Sequence, residues 1–175
     1  MEQEKDPEES FKALEVRKVD MTSYNNDEGV TNDPSRYRQL SFYRTIGSMD
    51  PSDVNLQACV HLYACDRVSL FLISNALRMG DNISHISSLS ISVVFHVLLL
   101  EDMNTARFLQ EAKTPASSEG RGMHMSCLWS DSGVLIASVM QDGLICGDVK
   151  SPKILGPLVL SRLSRLGLEA GRSRL

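Results

Sequence analysis

A chain of 175 residues, 42% of them hydrophobic, holds enough apolar material for one folded domain with tails and argues against wholesale disorder. Its formal charge of −4 is uneven: Glu2, Glu4, Asp6, Glu8 and Glu9 crowd the start, while bases dominate the end, and neither cluster is interleaved with the aromatics of a nucleic-acid-binding face. Cys59, Cys65, Cys127 and Cys146 form no CxxC pair and no secretory signal follows Met1, so reduced thiols in an intracellular protein are expected.

Residues 1–38 are polar, with turn chemistry at Asn25-Asn26-Asp27-Glu28-Gly29 and Asn32-Asp33-Pro34, and read as a linker or disordered segment. Leu40, Phe42 and Tyr43 begin a short strand that ends at Gly47. Asp50-Pro51 supplies a capping acceptor and then a proline, so a helix is expected from Pro51 to about Met79. Leu56, Cys59, Val60, Tyr63 and Ala64 recur at helical spacing, and Gly80-Asp81-Asn82 stops the helix. His61, Asp66 and Arg67 interrupt its apolar stretch, and Val93–Leu100 is far too short for a bilayer, so no membrane span is expected.

The grammar then changes to strands. Ser88–Leu100 is β-branched and apolar, and Gly120-Arg121-Gly122 opens a strand over Met123–Trp129. Ser130-Asp131-Ser132-Gly133 reads as a hairpin turn leading into Val134–Cys146. One domain over residues 39–150 follows, with a Leu- and Arg-rich basic tail over 151–175. The tail ends in Ser173-Arg174-Leu175, a variant of the Ser-Lys-Leu peroxisomal signal that keeps its positive charge; an ordinary basic tail is the alternative.

Three residues stand out as candidates for chemistry. Asp66 has mostly apolar neighbours, which is costly for a carboxylate unless it is paired or functional; a partly exposed acid is the plainer reading. Gln141 interrupts an apolar strand, where an inward amide offers both donor and acceptor, although a solvent-facing strand end is commoner. Ser88 is uninformative alone. There is no Gly-x-Ser-x-Gly elbow, P-loop or dinucleotide fingerprint. The four histidines are too scattered for a metal site, and His96 reads as a packed strand residue. No cofactor is expected.

One long helix and an antiparallel sheet make an α+β domain, and a sheet wrapped around one central helix is the hotdog arrangement. Taken together, residues from about Leu14 to Cys146 resemble the C-terminal half of the acyl-CoA thioesterase II family, the double-hotdog enzymes of bacteria and peroxisomes. Glu15-Val-Arg-Lys-Val-Asp20 resembles the link between the two halves, and Leu62-Tyr-Ala-Cys-Asp66 a helical motif ending in a catalytic Asp. Ser88-Leu-Ser-Ile-Ser-Val-Val-Phe-His96 resembles a Ser/Thr-Leu-Asp-His-Ser-x-x-Phe-His strand. Gly120-Arg-Gly122 and Val134–Gly143 resemble the last hairpin, whose Gln is catalytic.

The resemblance implies fatty acyl-CoA hydrolysis in the peroxisomal matrix by a water that Asp66, Ser88 and Gln141 position. Burial would raise the pKa of Asp66 as general base, and backbone N–H groups near the helix would serve the oxyanion. It also implies acyl-CoA as substrate, a peroxisomal import receptor for the tail, and a homo-oligomer in place of the missing first hotdog. Two departures stand out. Ser90-Ile91 replaces Asp-His, and Val97–Asp102 replaces an Arg-Pro and tryptophan-containing stretch. Ser90-Ile91 and the missing first hotdog favour an alternative, an impaired or truncated hotdog that binds acyl-CoA or a partner subunit without turnover. A hotdog hydratase is weaker, because its Asp-to-His spacing is not apparent.

Overall fold

The structure, a computed structural model, describes residues 13–67, 69–97 and 102–147. Six strands form one antiparallel sheet: β1 (Leu14–Lys18), β2 (Arg38–Thr45), β3 (Ile83–Phe95), β4 (Phe108–Ser118), β5 (Arg121–Ser130) and β6 (Leu135–Gly147). Their order across the sheet is β1-β2-β4-β5-β6-β3. Side chains alternate between the two faces, as the period of two demands. His124, Ser126 and Leu128 of β5 are buried on the inner face beside Val139, Gln141 and Ile145 of β6.

The expected hairpin at Ser130–Gly133 is present. Ser130 N–H donates to Val134 and Gly133 N–H to Ser130, with Gly133 at φ 82°, a conformation that glycine adopts without steric cost. Strand β4 was not foreseen. It carries Glu111, Lys113 and Pro115, and its register shifts between Lys113 and Ala116, where the proline needs no ladder hydrogen bond. Residues 14–37, expected as linker, are built into the domain: β1 pairs with β2, followed by α1 (Thr22–Asn25), α2 (Glu28–Thr31) and a 3₁₀ turn at Pro34–Arg36. This segment has few apolar residues because it uses hydrogen bonds instead. Asn25 both donates to and accepts from the Arg38 backbone, and Arg78 donates to Asn25, Asn26 and Thr31. The basic tail and the tripeptide lie outside the described residues.

Two helical segments, α3 (Val54–Asp66) and α4 (Ser69–Ala76), pack on the inner face, and Arg67 between them keeps helical dihedrals. The start lies three residues later than expected. Asp50 closes a turn by accepting from Ser52, and Asp53 takes the cap by accepting from Leu56 N–H. The end is a Schellman motif. Met79 N–H reaches Ser74, Arg78 N–H reaches Asn75, and Arg78 sits at φ 54°. Val54–Ala76 is long and apolar enough, by length and composition, to cross a membrane. Here its buried residues Ala64, Cys65, Leu70 and Ile73 pack in the core of the domain.

The close seat of α4 depends on two glycines. Gly122 on β5 and Gly143 on β6 are cross-strand partners beneath it. A Cβ at residue 122 would lie 2.6 Å from Ile73 Cγ2, and one at residue 143 would lie 2.5 Å from Leu70 Cδ2. The two sites differ in how readily they yield. Leu70 can turn its flexible end away, whereas Ile73, β-branched on a helix, has one preferred χ1. Gly122→Ala should therefore lower unfolding stability by about 1–3 kcal/mol in urea titrations, and Gly143→Ala by less. Equal stability of Gly122→Ala and wild type would show that α4 is not seated by these glycines.

Candidate active site

Asp66, Ser88 and Gln141 come from three elements and meet. Asp66 is the last residue of α3, Ser88 lies in β3 and Gln141 in the middle of β6. Gln141 Nε2 donates to Asp66 Oδ1 at 2.7 Å and to Ser88 Oγ at 2.8 Å. The sheet builds this meeting through a bulge. Pairing of β3 with β6 slips between Ser88 and Ser90, leaving Leu89 as the extra residue. The slip lets Ile86 and Ser88 share the inner face with Val93 and Phe95, which pack on the core. Without it, Ser88 would point away from Gln141.

The amide is fully buried, with 0% of Gln141 exposed, so the plainer reading of a solvent-facing strand end is overturned. Asp66 and Ser88 are exposed, which corrects the expectation of a buried acid. The reason is their place. Ser88 lies on β3, which pairs with β6 alone among the described strands and ends the sheet, and Asp66 stands beside it. A carboxylate only accepts hydrogen bonds, so the Asp66 contact requires the Gln141 amide to present its nitrogen. Two oxygens on one nitrogen lie on the order of 4.5–5 Å apart, a gap that one water can bridge. The carboxylate retains a second oxygen and the serine retains its O–H for that purpose.

His96 is not a packed strand residue. It sits just past β3, exposed, with Nε2 at 2.9 Å from Ser138 Oγ. Among the described residues no group of three His, Cys, Asp or Glu could hold a metal ion. His124 escaped the sequence reading. It is fully buried opposite Gln141, and burial lowers its pKa to about 4. Its phase was legible, since it lies two residues from Gly122 and so on the same face. The thiol of Cys65, fully enclosed on α3, is pushed up to about 12 by burial and serves as core.

The sequence matches the acyl-CoA thioesterase C-terminal domain over residues 2–145. The chain belongs to that family. Its fold is the hotdog, a curled six-stranded antiparallel sheet with a helix packed against it. An acyl-CoA thioesterase II from Mycobacterium marinum superposes with a TM-score of 0.65 at 21% identity, over 85% of this chain and 56% of that one. The tesB protein of Mycobacterium avium subspecies paratuberculosis gives 0.60 at 19% identity, over 77% and 48%. A hot dog protein of unknown function from Alicyclobacillus acidocaldarius gives 0.54 at 17%, over 78% and 47%. The chain therefore spans about half the length of these structures. No curated protein matches it significantly.

Two buried imidazoles tie stability to pH. Burial lowers both His61, bonded to Tyr43 Oη, and His124 from 6.5 to about 4. Between those values the unfolded chain binds protons that the folded chain does not, so stability falls as pH falls through the window. Each histidine contributes a slope approaching about 1.4 kcal/mol per pH unit. The lowered carboxylates Glu15, Asp20 and Asp50 act in the same direction, but only near and below their ordinary values of about 4. Urea unfolding midpoints should therefore drop steadily from pH 6.5 to 4.5. A flat profile there would mean that the two rings are not buried neutral.

Proposed function

We propose that this domain hydrolyses fatty acyl-CoA to the free acid and coenzyme A. The observation that carries the reading is the Gln141 amide joining an acid and a hydroxyl that are 75 and 53 residues away in sequence. A water between Asp66 and Ser88 attacks the thioester carbonyl carbon while Asp66 accepts its proton. The tetrahedral intermediate then expels the coenzyme A thiolate, which takes that proton back. Gln141 spends both amide hydrogens on the two oxygens, so it acts by fixing their separation and converts a diffusive encounter into a positioned one. Backbone N–H groups near the helix would serve the oxyanion.

The active form in this proposal is a homo-oligomer. Strand β3 ends the sheet and exposes Leu89, Ile91 and Val94, of which Val94 is 59% accessible. An edge of that kind is a template for another chain, and a symmetric dimer is the simplest closed solution. The second reading, a domain that binds acyl-CoA or a partner subunit without turnover, is favoured by two observations. Asp66 and Ser88 lie open to water, and the residue opposite Gln141 on β3 is Ile91. The proposed location is the peroxisomal matrix, reached through an import receptor that reads Ser173-Arg174-Leu175.

Palmitoyl-CoA turnover read by thiol trapping, with light scattering on the same sample, tests enzyme against binder. The expected result is a dimer or larger species that releases thiol. Asp66→Asn should lose about a hundredfold or more in turnover, and Gln141→Ala should cost turnover more than KM. Undiminished turnover in both variants would move the site elsewhere. Binding without thiol release would establish the second reading.

For the location, a fluorescent protein carrying residues 151–175 should enter peroxisomes and return to the cytosol when one residue is added after Leu175. Cytosolic signal from the unmodified tail would overturn the assignment.

A further inference from the structure

Gln141 has two cross-strand neighbours, Ile91 on β3 and His124 on β5. Ile91 has no hydrogen-bonding group. His124 has two, and neither ring nitrogen has a partner; nor does Gln141 Oε1, although all three atoms are buried. Such orphans are rare, because 90% or more of buried polar groups are paired (an approximate figure) and each unmade bond costs about 1–3 kcal/mol. Here they belong to two residues that face each other. Directly opposed residues of an antiparallel pair have Cβ atoms about 4.5–5.5 Å apart, within reach of one direct bond or one bridging water.

The polarities also fit. The Asp66 carboxylate draws the amide nitrogen of Gln141 to itself, so Oε1 must face away and needs a donor. A neutral imidazole donates from one nitrogen and accepts at the other. Burial keeps this ring neutral at ordinary pH. Beneath α4 lies a cavity of about 30 Å³ that His124 lines together with Gln39, Ser41 and Gln110, with room for one water. Lys18 is the charged group on its wall.

We propose that His124 is a positioning residue for the Gln141 amide. A small turn of either side chain brings one ring nitrogen to donate to Gln141 Oε1 and so pairs two of the orphaned atoms. The amide is then held with its nitrogen toward Asp66 and Ser88. The kinetic consequence rests on the thioesterase reading of those residues; the hydrogen bond itself does not.

The test compares His124→Leu, which removes the donor at similar volume, with His124→Gln, which restores one. Turnover in His124→Leu should fall about tenfold with KM nearly unchanged, and His124→Gln should recover most of it. Equal losses in both variants, or none in His124→Leu, would overturn the proposal.

A spectroscopic arm is independent of activity. The side-chain amide signals of Gln141, assigned by their loss in Gln141→Leu, should shift in His124→Leu, and the ¹⁵N signals of the wild-type ring should show one fixed neutral tautomer. If wild type hydrolyses no acyl-CoA, the thioesterase reading falls, while these spectra still decide the role of His124. Unmoved amide signals would overturn it. If His124→Leu does not fold, the wild-type ring decides, and a tautomer-averaged ring would overturn it.

Discussion

Where α4 can lie determines everything downstream of it, and Gly122 and Gly143 set that position. Leu70 and Ile73 fill the space where two Cβ atoms would stand, so the helix settles closer to β5 and β6 than side chains would allow. Asp66 stands only three residues before Ser69, where α4 begins. Its carboxylate therefore reaches across to an amide rooted in the strand next to the notch. A helix held further out would carry Asp66 beyond the 2.7 Å contact, and a buried amide hydrogen would be left without that acceptor. Tight packing and the candidate chemistry are thus one constraint. The apolar residues of α4 supply the force, and the absent side chains let it act at short range.

The core that results is divided. One apolar cluster gathers Leu14, Tyr43, Phe108, Leu128 and Val139, and a second gathers Leu70, Ile73, Leu77, Met79 and Ile145. Between them the inner face carries a polar band of Gln110, Thr114, His124, Ser126 and Gln141. Much of the band is satisfied within the protein. Thr114 donates to the Met123 carbonyl and Gln110 to Ser126, at 2.8 and 3.4 Å. A fully apolar band would pack without the risk of unmade bonds, so the polar one costs stability wherever a partner is missing. It does give Gln141 a setting in which its amide can be oriented by neighbours, and Val or Leu in those places could not do that.

The hotdog architecture was legible because its signals are periodic. The helix of α3 was expected, but the stripe read for it was not its buried face: Leu56, Cys59 and Tyr63 are exposed, while Gln57, His61, Ala64 and Cys65 are buried. Alternation with a Ser-Asp-Ser-Gly turn marked β5 and β6. What escaped notice depends on non-local pairing. Strand β4 hides behind Glu111, Lys113 and Pro115, which are tolerable because β5 and β2 flank it and a bulge accommodates the proline. Strand β1 has too little apolar content to announce itself and exists through its ladder with β2. Asp66, Ser88 and Gln141 were each ambiguous alone and became a set through resemblance to a family. Their meeting depends on a one-residue slip at Leu89, which no local pattern in a Ser-rich strand reveals.

The same slip turns Ser88 to the inner face of the edge strand and so links the site to whatever lies beyond β3. Leu89, Ile91 and Val94 leave apolar surface on the strand whose Ser88 belongs to the candidate site. A partner strand laid along β3 would cover that surface and would also exclude water from Asp66 and Ser88. Under such a cover the carboxylate of Asp66 would still be oriented by the hydrogen bond it accepts from Gln141. The edge of the sheet and the contact of Gln141 with Asp66 and Ser88 thus meet on a single strand, so whatever covers β3 also bounds the candidate site.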